Sequence, residues 1–186
     1  MPLSVLLALA ALAAAPTFLS AAELKPALVA GYDTGGDDIQ VVGFTSGKTD
    51  SIRANEGLYL GGGVSVLNDA RNLEFLGTLS MKYQAIHASN GDVTWIRFPV
   101  DALLFYRMQS FRLGAGLTYA AHARLKGSGD ASYIDTSFES GLGAVVQGDY
   151  LQGRVALGLR YTALDYRAGG TTFKSNGVGV SFGLTF

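Results

Sequence analysis

The sequence predicts an all-β fold, an eight-stranded antiparallel up-and-down transmembrane β-barrel. Three observations carry this. Segments of roughly ten residues alternate apolar and non-apolar side chains and are separated by turn residues, as in strands that face lipid on one side. No stretch after Ala22 reaches the ~18 uninterrupted apolar residues of a membrane helix. The faces opposite the apolar ones carry Gly, Ser, Thr and a balanced set of charges, where an aqueous surface would carry more Lys and Glu.

Composition bounds the chemistry. The 186 residues suffice for one domain, 48% of them hydrophobic and 16% charged. The absence of Cys excludes disulfides, thiolate metal sites and a Cys nucleophile, and two His are too few for a multi-His site without carboxylates. A net charge of −1 gives no basic field for nucleic acid. No cofactor, metal or nucleic-acid partner is expected. Met1 to Ala22 reads as a secretory signal peptide. Val5 to Ala15 is a short apolar run, Pro16 interrupts it, and Ser20-Ala21-Ala22 offers small residues at the cleavage site, although no Lys or Arg precedes the run. The barrel is then 23–186.

The first strand is predicted over Ala27 to Asp33 and ends at Gly35, Gly36, Asp37 and Asp38. Ile39 to Phe44 and Ser51 to Ala54 read as a polar hairpin around Ser46-Gly47-Lys48, part of a long exposed loop or of strand ends beyond the membrane. The second strand is Gly57 to Leu67, with Leu58, Leu60, Val64 and Val66 on one face; Asn68 to Asn72 is a polar turn. The third is Leu73 to His87, and Ser89-Asn90-Gly91-Asp92 turns it into the fourth, Val93 to Tyr106. Pro99 removes a ladder donor there and predicts a bulge. The fifth is Phe111 to His122, with Arg112, Thr118 and His122 inward; Lys126 to Ser137 reads as a loop. The sixth is Gly141 to Leu151, Gln152-Gly153 is a tight turn, and the seventh is Arg154 to Tyr166. A loop over Ala168 to Ser175 leads to the last strand, from Asn176. Glycine-rich pieces such as Gly61-Gly62-Gly63 precede no helix, so they read as barrel packing and not as phosphate loops.

The alternation assigns side chains to faces. Inward charges are Lys82, Arg97, Arg112 and Arg160 against Asp33, Glu74, Asp101 and Asp149. Eight strands enclose an interior just wide enough for side chains to fill, so these charges predict a paired, plugged lumen. Tyr32, Tyr83, Tyr119 and Tyr161 face outward at one end, and Tyr106, Phe111, Tyr150 and Phe186 at the other. These form two aromatic girdles around an apolar band. A soluble lipocalin-like barrel would instead gather the apolar face inside.

In the final strand Val178, Val180, Phe182, Leu184 and Phe186 alternate with Gly and small hydroxyls, and the sequence stops on the aromatic residue. This strand resembles the closing strand of bacterial outer-membrane barrels, where it is the assembly signal. The whole architecture resembles the small eight-stranded barrels of the OmpA-transmembrane, OmpX and OmpW kinds. That resemblance implies an integral outer-membrane monomer, exported by a Sec-type route. It implies contact with outer-membrane lipid and lipopolysaccharide, and with the barrel-assembly machinery during biogenesis. Two functions follow: a structural or surface-interaction scaffold, or a transporter of small or hydrophobic solutes as in OmpW-like barrels. His87-Ala88-Ser89-Asn90 is similar to the order in outer-membrane lipid A deacylases. Asp101, the acid in the next strand, pairs near Met81 by hairpin arithmetic, about 25 Å from Ser89. His87 also falls on the opposite face. No enzymatic activity is therefore expected. His122 reads as a rim histidine.

Overall fold

The structure, a computed structural model, describes residues 23–43, 49–88 and 90–186. The predicted signal peptide, the turn at Ser46-Gly47-Lys48 and Ser89 lie outside the described residues. The wall consists of β1 (Glu23–Gly35), β4 (Gly57–Leu67), β5 (Leu73–Ala88), β6 (Gly91–Arg107), β7 (Phe111–Gly127), β9 (Leu142–Gln152), β10 (Val155–Ala163) and β13 (Gly177–Thr185). Each is antiparallel to its neighbours, and β1 pairs with both β4 and β13, so the eight-stranded sheet closes. Closure removes the sheet edge, which a membrane requires because lipid cannot satisfy free backbone groups.

The barrel is inside out relative to a soluble one. Leu113, Leu157 and Phe182 are 60%, 52% and 42% exposed on the outer surface, whereas Glu74 and Arg97 are fully buried. The period of two that puts Leu79, Met81 and Tyr83 outside puts Thr78, Ser80 and Lys82 inside. The turn end is tight. Asn68 Oδ1 accepts from the backbone N–H groups of Asn72 and Leu73 (both 3.0 Å), and Gly153 turns β9 into β10 with φ 61°.

The loop end departs from expectation. β5, β6 and β7 run for 16, 17 and 17 residues. A spanning strand needs only ~9–11 residues, so the wall projects well past the apolar band. Lys126 to Ser137, predicted as a loop, contains the end of β7, a 3₁₀ turn at Gly129–Ala131 and the start of β8 (Asp135–Ser140), which pairs with β7. β11 (Asp165–Ala168) pairs with β8 and β12 (Thr171–Lys174), so the predicted loop over Ala168 to Ser175 is largely strand. β2 (Asp38–Gly43) and β3 (Thr49–Arg53) form the expected hairpin, but it is not a solvated loop: Ile52 and Ala54 are fully buried.

They belong to an apolar core above the membrane-facing wall that also includes Ile86, Trp95, Leu125, Phe138, Leu164 and Tyr166. Trp95 meets Phe138 and Tyr166 edge-on, with ring centroids 4.8 and 5.4 Å apart.

A bulge on β7 makes this core possible. His122 has φ 50°, and the β6–β7 register shifts between Ile96 and Phe98. Before it, even-numbered residues of β7 face in (Arg112, Thr118, Ala120); after it, odd-numbered ones do (Ala123, Leu125). His122 is therefore exposed, not inward as strict alternation predicts. Pro99 makes no bulge: it pairs in register with Ala120 of β7. On its other side the β5–β6 pairing lapses between Leu79–Val100 and Lys82–Arg97 without a shift of register, where the missing N–H removes a donor.

Trp95→Ala should cost about 3–5 kcal/mol, the range for deleting a large buried aromatic. A urea titration in detergent followed by far-UV circular dichroism measures it. An unchanged midpoint would mean the outer core contributes nothing to stability.

Candidate functional site

The lumen holds the charged side chains, in layers. Near the turn end, Glu74 accepts from Ser65 Oγ (2.7 Å), Arg107 Nη1 (2.6 Å) and Arg112 Nη1 (2.6 Å). Arg112 also donates through Nε to Asp149 (2.7 Å) and lies over the Phe105 ring, 4.2 Å from its centroid. Asp149 accepts further from Gln147 Nε2 and Ser181 Oγ. Arg112 is thus held between two carboxylates, and each carboxylate has further donors. This is the condition under which buried charge is tolerated. Gly158 lies against this group; a Cβ there would collide with Asp149.

Around that layer sits a small apolar belt of Ala27, Leu76, Leu103, Phe105 and Val145. Next along the axis, Arg160 Nη2 donates to Asp101 (3.1 Å), and Lys82 Nζ donates to Asp33 (2.6 Å) and to Asn55 Oδ1 (3.0 Å). Arg160 is stacked over Tyr59.

The outermost layer is a strap formed by Ala54, Asn55 and Glu56, between β3 and β4. Arg97 donates to the Ala54 and Glu56 carbonyls, and Trp95 Nε1 reaches the Ala54 carbonyl at 3.4 Å. Gln84 bridges to the Arg53 N–H and the Ser51 carbonyl. Gly35 and Gly36 at one end of the hairpin and Gly57 at the other have positive φ (108°, 87° and 145°), the conformation glycine adopts freely.

All eight residues assigned to the lumen by alternation are buried, and seven join opposite charges; Arg97 is spent on backbone carbonyls. Sequence reasoning missed Arg107, just past the predicted end of the fourth strand, and Tyr59, Leu76, Leu103 and Phe105, inward apolar groups among charged ones. Only the parity of their positions signalled them. The residues assigned to the girdles are exposed on the outer wall, and Phe111 contacts Tyr150 edge-on at 5.3 Å. Val178, Val180, Phe182 and Phe186 are exposed on the same surface, with Leu184 half-buried beside them. Beyond the membrane band, Arg124 donates to Asp135 through Nε and Nη2 (2.8 and 2.6 Å) and holds that carboxyl below its ordinary range.

Asp101 is not brought to His87. His87 is exposed and its Nδ1 lies 3.0 Å from Asp92 Oδ1. Asp101 pairs in register with Thr78, not Met81, and is committed to Arg160 inside the barrel. Among the described residues, no cluster of His, Asp and Glu could hold a metal ion.

Among the described residues, three chambers, each with about 20 Å³ of space for water centres, lie along the lumen. Neighbouring chambers meet at the layers just described: Arg112 and Leu76 between the first two, Tyr59, Asp101 and Arg160 between the second and the outermost.

Removing Glu74 takes from Arg107 its carboxylate partner and leaves the buried Arg112 with one carboxylate, Asp149, in place of two. Glu74→Ala should therefore destabilise by roughly 3–5 kcal/mol, as for a broken buried pair. Urea unfolding of the detergent-solubilised protein reads this out, and a loss below 1 kcal/mol would refute the idea that the pair governs lumen stability.

No family model and no curated protein sequence matches the chain. Solved structures do. Ail, the attachment invasion locus protein of Yersinia pestis, solved with the heparin analogue sucrose octasulfate, is similar at 11% identity and a TM-score of 0.56, over 88% of this chain and 99% of that one. Neisserial surface protein A is similar at 17% identity and a TM-score of 0.50, over 90% and 100%. At these identities the likeness concerns the fold, that of small eight-stranded outer-membrane β-barrels.

Proposed function

We propose that this chain, which has the fold of the small outer-membrane barrels, is an integral outer-membrane scaffold that holds a folded outer head above a lumen closed to ions. In this reading Met1–Ala22 is the export signal and the final strand is the assembly signal. Both chain ends lie in the periplasm, and the outer wall contacts lipid and lipopolysaccharide.

The observation that carries the proposal is the pairing of lumen charges across the barrel. A pore needs charged groups free to exchange partners with a passing ion. Here Arg112 is fixed between Glu74 and Asp149, and Arg160 lies over Tyr59 beside Asp101. The strap adds a further barrier at the outer mouth. Lateral escape of a hydrophobic solute is disfavoured too, because the wall sheet is closed and the β5–β6 lapse in pairing at Pro99 keeps its register. In planar bilayers the purified protein should give no steady current; reproducible ion-selective steps would defeat the closed-lumen reading.

The head is the functional surface, and its charge bears on the partner. Ail was solved with a polysulfated sugar. Among the described residues of the head, Asp37, Asp38, Asp50, Asp130, Glu139 and Asp165 outnumber the exposed bases Arg53, Lys126, Arg167 and Lys174, while Asp135 and Arg124 cancel. Such a surface repels anionic polymers. The detergent-solubilised protein should pass through immobilised heparin at physiological salt. Retention there would argue for a sulfated partner instead.

A further inference from the structure

The geometry points to a bound-water site in the outermost lumen chamber, where one or two water molecules complete the charge network under the strap. The argument begins with five buried polar atoms that have no hydrogen-bond partner among the described residues: Asp33 Oδ1, Tyr59 Oη, Asp101 Oδ1, Arg160 Nε and Thr162 Oγ1. All five belong to side chains that line this chamber, and all five residues are at least nine-tenths buried. A protein interior does not leave this many polar atoms in one place without a ligand, since each costs about 1–3 kcal/mol unpaired.

Size and chemistry identify the ligand. The chamber offers about 20 Å³ to water centres. One water needs ~10–15 Å³ by that measure, so it holds one or two. The two carboxylate oxygens require donors, and Arg160 Nε requires an acceptor; the two hydroxyls take either role. A metal cation offers no donor and meets Lys82 and Arg160. A halide offers no donor either and meets Asp33 and Asp101. Water both donates and accepts and carries no charge to repel. The spacing agrees: Arg160 Nε and Asp33 Oδ1, both unpartnered, are 4.0 Å apart, too far for a direct hydrogen bond and within reach of a bridging molecule. The site therefore links the Asp33–Lys82 pair to the Asp101–Arg160 pair, and through Lys82 and Asn55 to the strap. This rests on the buried geometry alone and stands whether or not the barrel conducts.

The test is a crystal structure of the full chain at a resolution that defines ordered water, with parallel crystals soaked in bromide and in rubidium and measured for anomalous scattering. One or two peaks within about 2.6–3.2 Å of at least two of the five atoms, silent in both soaks, are expected. An anomalous peak from bromide or rubidium would overturn the assignment in favour of an ion, and a chamber with no density would overturn it outright. Thr162→Val keeps the shape and removes one partner. It should displace or abolish the peak beside it; an unchanged peak at the same position would also count against the site.

Discussion

Arg112, clamped between Glu74 and Asp149, is the constraint on which the rest of this structure depends. An eight-stranded barrel whose outer face is given to lipid must fill its interior with what the outer face cannot take. Charges placed there have lost their water and survive only with partners on other strands. Glu74 comes from β5, Arg112 from β7 and Asp149 from β9, so one ionic cluster fixes the relative height of three strands. A slip of one residue in any of them would turn a carboxylate or a guanidinium toward acyl chains. Pairing in the lumen and register in the wall are one constraint seen from two sides.

Above that ionic column the physics changes. The outer head is held by apolar burial around Trp95, as in a water-soluble domain, because there the barrel wall faces water and the usual hydrophobic driving force returns. The single-residue bulge at His122 is the joint between the two regimes. It reverses the parity of β7, sends Leu125 into the head and keeps Arg124 and Lys126 in solvent. The strap lies at the same boundary, gripped by Arg97 from the ionic side and packed by Trp95 from the apolar side.

Much of this was legible in the sequence. Alternation over Leu73 to Lys82 and over Val178 to Phe186 named the strands and their outward faces, because side-chain direction in a strand depends on parity alone. The same parity put the eight charged side chains inside, and deprived His87 of Asp101 as a partner. It failed where parity is broken or where polarity misleads. No local signal at Ala121-His122-Ala123 announces a left-handed residue. The segment from Ile39 to Ala54 is polar enough to read as a solvated loop, although Ile52 and Ala54 are buried beneath it. Arg97 carried the right address and the wrong partner: its guanidinium binds carbonyls of a segment far away in the chain, which alternation does not reveal.

By itself, then, the sequence determined the number of strands in the wall, its closing, the lipid-facing side and the placing of charge in the centre, since each follows from the two-residue repeat of an extended chain. Only the tertiary structure decided which charges meet, where the wall leaves the membrane, and that the outer segments fold into a second core with a strap across the mouth. Those outcomes depend on residues brought together from distant strands, and on one backbone angle that no repeat encodes.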